Sequence, residues 1–371
     1  MSNKPVYVTQ PTLPSLDEFT PYLQEIWNSK ILTNGGGLHK KLESALRDYL
    51  GVNHISLFNN GTIALITALK ALNITGEVIT TPYSFIATAH SLLWNNLTPV
   101  FVDIDPETLN LNPDNIEAAI TERTTAILPV HCYGYACDVK QIRAIANRYG
   151  LKIIYDAAHA FAVEDEEGSI LNHGDLSVLS FHATKVFNTF EGGAIVCHDE
   201  TMKNKINRLK NFGIVDETTI TEVGINGKMS EINAAMGLLQ LNHIQTSLTR
   251  RRQVDDYYRK RLNGIKGIRL MDNSREKVAN YSYFPILVNK NYSLSRDELY
   301  EQLRQNGIFA RRYFYPLISN FSMYSNLPSA RKEKLIVANE VSSTILCLPI
   351  YADLSVMDQE RVIDIILKGG I

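Results

Sequence analysis

The chain has 371 residues, 45% hydrophobic and 20% charged, with a formal net charge of −2. That length buries a large core and divides into about two domains, while the scattered, balanced charge lacks the basic stripe that a nucleic-acid partner requires. No run approaches the ~20 apolar residues of a membrane span, and the opening MSNKPVYVTQPTLPSL lacks the charged segment and apolar run of a secretory leader, so a cytoplasmic protein without membrane partners is expected.

The four cysteines, Cys132, Cys137, Cys197 and Cys347, show no paired metal-site spacing. Three lie in or beside apolar runs and read as reduced core residues, and no metal is expected. His54–Phe58 is the first clear strand, followed by Asn59-Asn60-Gly61-Thr62 and a helix over 63–72 with apolar residues at 63, 66, 69 and 72. Further strands are expected at 77–80, 98–102, 126–130, 152–155 and 176–180, with helices at 86–94 and 139–149 between them. Such alternation is the pattern of βαβ units on a mostly parallel sheet. Glu191 to Val196 then closes a strand-loop-strand with the run before it. After about Met229 the texture changes: a long helix over 230–262 leads into a strand-like run at 281–288 and a final mixed region. The expectation is an α/β protein with a large domain over 1–240, N-terminal arm included, and a smaller α+β domain over 241–371.

Ligands of open α/β sheets gather at the carboxyl ends of the strands, and three of these ends carry chemistry. At Asn60-Gly61-Thr62 the glycine lets backbone come close, and a helix N-terminus offers N–H donors to an anion such as a phosphate. A plain turn with Thr62 as N-cap would use the same residues. At Tyr155-Asp156-Ala157-Ala158-His159, Asp156 leaves an apolar strand, poised either to hold a cationic ring nitrogen or to cap the next helix. His159 either touches the same ligand or fills space. The third end is Ser180-Phe181-His182-Ala183-Thr184-Lys185, where the Lys185 amine is a solvated surface charge or an imine former at the bottom of a cleft. An anion cradle, an acid for a pyridinium and an amine for a Schiff base are together what pyridoxal 5'-phosphate needs.

Those runs, with Asn226-Gly227-Lys228-Met229-Ser230-Glu231-Ile232-Asn233-Ala234-Ala235-Met236-Gly237, resemble the DegT/DnrJ/EryC1/StrS family of sugar aminotransferases in order and spacing from about Asn34 to Leu348. The resemblance implies a pyridoxal phosphate-dependent transferase of the aspartate aminotransferase-like type (fold type I). The loop Lys185-Val186-Phe187-Asn188-Thr189-Phe190-Glu191-Gly192-Gly193 is similar to that of members that aminate C4 of dTDP-4-keto-6-deoxy-D-glucose. It has Phe190 where the commoner loop has Gly, and it differs from the Tyr-Pro-Gly-Lys-Asn-Leu-Gly form associated with C3 amination.

By the same resemblance, Lys185 forms the imine with the cofactor (PLP/PMP), Asp156 partners its ring nitrogen, and Phe85 stacks on its ring, although ordinary core packing would also explain Phe85. Gly61, Thr62 and Ser180 would bind its phosphate. Asn226 and Lys228 compete for a contact to the phosphate of the neighbouring subunit in a homodimer with shared active sites. His159 stands where the family often has Gln, which leaves its contact open. Asn34, in the glycine-rich run Thr33 to Gly37, and Arg311, Arg312, Tyr313 and Tyr315 in Arg311-Arg312-Tyr313-Phe314-Tyr315-Pro316-Leu317 are the expected contacts to the nucleotide sugar. A flexible loop and surface ion pairs would use the same residues. The expected reaction moves an amino group from L-glutamate to C4 of dTDP-4-keto-6-deoxy-D-glucose, for O-antigen or a related glycan. Amination of another keto-sugar or cyclic ketone, amination at C3, and a binding module without turnover are the alternatives. A dehydratase of this fold carries His in place of the lysine, so Lys185 argues against it.

Overall fold

Seven runs rich in aliphatic and β-branched residues form the central sheet: β1 (His54–Phe58), β2 (Glu77–Thr80), β3 (Thr98–Phe101), β4 (Thr124–Leu128), β5 (Lys152–Asp156), β6 (Leu176–Ser180) and β7 (Gly193–Cys197). The computed structural model describes residues 4–272 and 276–370. The sheet order is β1-β7-β6-β5-β4-β2-β3, and β7 alone runs antiparallel to its neighbours. The run expected at 126–130 pairs instead over 124–128. Thr124 and Thr125 suit the pleat, whereas Pro129 has no N–H to give the ladder and contributes only its carbonyl, to the N–H of Asp156 at 2.9 Å.

Helices α1 (Leu16–Ser29), α2 (Gly37–Leu50), α3 (Gly61–Ala71), α4 (Ala87–Trp94), α5 (Val139–Tyr149), α6 (Glu200–Leu209) and α7 (Glu231–Leu262) cover the sheet on both faces. Alternate residues of the strands divide between them. Ile55, Leu57 and Leu179 pack with Leu42 and Leu46 of α2 and Ala234 and Ile244 of α7. Phe58, Val178 and Ile195 pack with Ala64, Leu65 and Ala68 of α3.

The later part holds an antiparallel sheet of β8 (Ile268–Leu270), β9 (Phe284–Val288) and β10 (Ile345–Leu348), with α8 (Arg296–Gln305), α9 (Ile336–Thr344) and α10 (Val356–Gly369). Its core joins Phe284, Ile286, Leu346 and Ile363 to Val254, Tyr258 and Leu262 of α7. The 32-residue α7 thus serves both cores, and the division expected at 240/241 falls inside it. We propose that α7 is the shared spine of two units rather than the first element of one. At the other end, Val6–Tyr7 pairs in parallel with Ile308–Phe309, so the N-terminal arm reaches the later part of the chain.

Candidate active site

The strand order puts the carboxyl ends of β1, β6, β5, β4 and β2 along one edge, so Gly61, Ser180, Asp156, Tyr133 and Tyr83 follow one another along it. At one end α3 begins directly after β1. Asn60 is its N-cap and accepts from the N–H of Ile63 at 2.8 Å, which leaves the N–H groups of Gly61 and Thr62 without partners inside the helix. A Cβ on Gly61 would lie 2.9 Å from Cβ of Ser180, and one on Gly193 would lie 2.7 Å from the Gly61 nitrogen. Glycine is therefore required for this helix end to open beside Ser180, where its dipole favours an anion.

Asp156 ends β5 and is 4% exposed. Its Oδ2 accepts from the Thr88 hydroxyl at 2.7 Å and its Oδ1 from the Ala158 N–H at 3.1 Å; Ser84 and Thr88 share a further bond of 2.8 Å. Burial raises the Asp156 pKa, while the two donors and the charge of Lys185 oppose that rise. Lys185 sits in the loop after β6, its N–H bonded to the His182 carbonyl at 2.9 Å. Burial pulls its amine down to about 8, against the raising effect of Asp156. The His159 ring accepts the Tyr133 N–H at Nδ1, 3.1 Å away, so the neutral ring carries its proton on Nε2. Burial, with the nearby charge of Lys185, holds its pKa well below the ordinary value.

The lysine loop is anchored from behind. Phe187 stacks on Phe161 at 4.6 Å and meets Phe181 edge-on at 5.0 Å, and Asn233 of α7 donates to the carbonyls of Thr189 and Glu191 at 2.7 and 3.0 Å. Phe190 has φ of 63°. That left-handed conformation is one glycine adopts at no steric cost, and the phenylalanine ring meets Phe19 of α1 edge-on at 6.2 Å.

The remaining expected residues divide. Phe85, 58% exposed, follows buried Ser84 at the end of β2 and is open to a ligand. Asn34 and Lys228 line one cavity of about 370 Å³ with Gly35, Lys210 and Asn211. The Thr33 to Gly37 run is bracketed by Glu231, whose N–H donates to the Leu32 carbonyl at 2.9 Å and whose carboxylate accepts from the N–H groups of Leu38 and His39 at 2.8 and 3.0 Å. Lys228 is bonded to Asn211 Oδ1 at 2.8 Å and lies over the Phe212 ring, whereas Asn226 is exposed. Arg311 is exposed beside Tyr313. Arg312 pairs with Asp297 at 2.8 Å between the rings of Tyr300 and Tyr315, so the fold already occupies its charge and packs Tyr315 against it.

Sequence reasoning did not single out Thr88, Ser84, Glu231, Tyr83 or Tyr133 for the site. Thr88 and Ser84 are four residues apart after β2, and Tyr133 follows β4; the strand-end rule applied to β2 and β4 as well would have found them.

These residues fit pyridoxal phosphate: an open helix end beside Ser180 for the phosphate, a buried carboxylate held by two donors for a ring nitrogen, and an amine that burial makes nucleophilic. A profile of the DegT/DnrJ/EryC1/StrS aminotransferase family matches residues 15–367. The chain is 60% identical over 352 residues, 95% of each chain, to a dTDP-4-amino-4,6-dideoxy-D-glucose transaminase of Shigella dysenteriae. It is 55% identical over 356 residues, 96% of each, to one of Escherichia coli. Among solved structures, DesI in the presence of its TDP-sugar product has a TM-score of 0.94 at 34% identity, covering 99% of this chain and 93% of that one. PseC of Helicobacter pylori, an aminotransferase involved in the biosynthesis of pseudoaminic acid, has 0.91 at 28% over 99% of both. As its motifs led us to expect, the chain belongs to the DegT/DnrJ/EryC1/StrS aminotransferase family.

Proposed function

We propose that this protein is a pyridoxal phosphate-dependent aminotransferase that moves an amino group from L-glutamate to C4 of dTDP-4-keto-6-deoxy-D-glucose, giving dTDP-4-amino-4,6-dideoxy-D-glucose for a surface glycan. The observation that carries the reading is the end-to-end match, at 60% identity, to the Shigella dysenteriae transaminase of that name. When bound, the cofactor supplies an electron sink that no side chain offers. Lys185 would hold it covalently, Asp156 its ring nitrogen, Gly61, Thr62 and Ser180 its phosphate, with Phe85 and His159 at its ring.

Lys185 has two tasks: to attack as a free amine, and to move a proton at the carbon that gains or loses the amino group. Lowering its pKa from 10.5 to about 8 raises the neutral fraction at pH 7 by roughly 300-fold. Asp156 stays useful only as a carboxylate, and Thr88 and Ala158 supply the donors that hold it so against burial. His159 is neutral with its proton on Nε2, which faces the Tyr283 hydroxyl at 3.5 Å.

Two further statements belong to the same proposal. The working unit is a homodimer whose partner completes each site: Asn226 lies on a stretch where Val223 is 84% and Ile220 69% exposed, apolar surface that favours cover by a second copy. Of the two cross-subunit candidates Asn226 is favoured, because Lys228 is already bonded to Asn211 within its own chain. Arg311, Tyr313 and Asn34 are the favoured contacts to the sugar nucleotide, with Arg312 and Tyr315 packed as their support.

The test mixes purified holoenzyme with glutamate, follows bleaching of the cofactor absorbance, and adds dTDP-4-keto-6-deoxy-D-glucose. Recovery of the colour with a product aminated at C4 by NMR is expected. Recovery only with a 3-keto-sugar, or bleaching without recovery, refutes the acceptor; a Lys185→Ala protein that still turns over at the parent rate refutes the lysine assignment.

A further inference from the structure

Two buried tyrosines from the large sheet meet on one backbone carbonyl of the segment that carries Arg311. Tyr83, 0% exposed after β2, and Tyr133, 2% exposed after β4, bring their hydroxyl oxygens to 2.5 Å from each other. Tyr83 Oη lies 3.0 Å from the carbonyl oxygen of Tyr313, and the Tyr133 hydroxyl is bonded to the same oxygen. Two hydroxyl protons serve three contacts, so one tyrosine donates to the other and that one donates to the carbonyl. The Tyr133 ring lies parallel to Phe314 at 6.0 Å and against Tyr283 at 5.4 Å. Its own N–H donates to His159 Nδ1 at 3.1 Å. Tyr133 also holds φ of 59°, a left-handed conformation that a bulky residue adopts only where its surroundings impose it, and such residues gather at functional sites.

We propose that Tyr133, with Tyr83, is a positioning residue for the acceptor sugar: through one hydroxyl relay it ties the Arg311–Tyr313 backbone to the strand ends that carry His159 and Asp156. The proposal rests on the reading above that Arg311 and Tyr313 face the sugar nucleotide. A sugar nucleotide is much larger than glutamate, so under this proposal the greater demand for the register of this segment falls on the keto-sugar half-reaction. The relay also makes the two tyrosines redundant. When either hydroxyl is removed the other still reaches the carbonyl; when both are removed, the half-buried carbonyl loses both donors, which costs more than the loss of either alone.

The experiment compares holoenzymes carrying Tyr83→Phe, Tyr133→Phe and both. The single variants should raise KM for dTDP-4-keto-6-deoxy-D-glucose by roughly two- to tenfold, leaving the rate of bleaching by glutamate within about twofold. The double variant should raise KM by more than the product of the two single effects, the signature of a shared partner. Amide hydrogen exchange at 311–315 should quicken in the double variant while exchange at 154–158 stays as in the parent, a readout that needs no sugar. Unchanged exchange at 311–315 overturns the clasp. Faster exchange with KM unchanged, or equal loss in both half-reactions, overturns its role in placing the sugar. If the parent does not accept this sugar at all, the acceptor reading falls, and the exchange result still decides the clasp.

Discussion

Thr88→Val removes one hydroxyl and keeps the shape of the side chain, so it isolates the bond between Thr88 and Asp156. That bond is 2.7 Å long, buried, and directed at Oδ2, while the other donor to the carboxyl, the Ala158 N–H, is untouched at 3.1 Å. A hydrogen bond to a charged group contributes about 1.5–3 kcal/mol, and its loss raises the Asp156 pKa further. The sign follows from the competition at this site: burial raises the Asp156 pKa and Thr88 lowers it, so the variant loses a donor that favours the carboxylate. Asp156 is then protonated more readily, a ring nitrogen without a carboxylate partner draws less charge from the reacting carbon, and single-turnover bleaching by glutamate should slow by roughly 10- to 150-fold if the bond is fully expressed in the rate. The acidic limb of the pH profile should move toward neutral pH. Ser84→Ala, which removes a hydroxyl bonded to Thr88 and not to Asp156, should cost only a few-fold. Stopped-flow absorbance reads both variants, and thermal unfolding checks that they are folded. A folded Thr88→Val protein that bleaches within threefold of the parent, with its pH profile unmoved, would refute the assignment of Asp156 as the ring-nitrogen partner held by Thr88.

Gly61→Ala places a methyl 2.9 Å from Cβ of Ser180, closing the helix end proposed for the phosphate and forcing the end of β6 to give, so the cofactor-free midpoint should drop and the cofactor affinity of the folded variant, measured by titration, should fall by roughly tenfold or more; unchanged affinity would move the phosphate elsewhere. In cofactor-free protein the Lys185 amine titrates at about 8 instead of 10.5, which means that the unfolded chain binds the extra proton between those values and stability rises with pH across them. Lys185→Met should therefore stabilise the cofactor-free protein near pH 7, by no more than about 3 kcal/mol, and the gain in urea unfolding should vanish by about pH 10.5; a gain independent of pH would show that the amine is not desolvated. Phe190→Gly relieves a left-handed conformation costing ~1–2 kcal/mol but deletes the edge contact with Phe19, worth about 0.5–1.5 kcal/mol. Stability should change by less than about 1 kcal/mol, whereas a loss above 3 kcal/mol would assign the ring a larger part in fixing the lysine loop.

The sheet was legible because its strands are short apolar runs bounded by turn residues, and the lysine, aspartate and glycine turn were legible because chemistry at strand ends is local in sequence. β4 was displaced by two residues: the apolar run includes Pro129 and Val130, but the strand ends at Leu128, before the proline that cannot donate, and beyond it only a single bridge from Val130 to Asp156 continues the pairing. Helices α1 and α2 escaped because polar residues fill half of each and a proline sits at position 21. What holds α2 at its start is far away in sequence: Gly36 provides no capping side chain, and the Glu231 carboxylate does that work from the start of α7. A cap 190 residues distant leaves no trace in a local pattern.

The substrate side was the least legible, for the same physical reason. Arg311, Arg312, Tyr313 and Tyr315 are adjacent and similar in composition, and nothing local separates a residue that faces a ligand from one that supports it. The fold separates them through partners elsewhere: Asp297 and Tyr300 of α8 take the Arg312 guanidinium, Tyr83 and Tyr133 take the Tyr313 carbonyl, and Arg311 keeps its charge exposed. The cofactor end of the site is thus built from residues that each strand delivers by itself, while the acceptor end depends on contacts between elements: Arg312 with α8, and the Tyr313 carbonyl with tyrosines of the large sheet. Substitutions at the strand ends that carry Gly61, Asp156 and Lys185 should therefore change both half-reactions, whereas removing the Tyr83 and Tyr133 hydroxyls, which are spent on the Tyr313 carbonyl, should change the keto-sugar half-reaction alone.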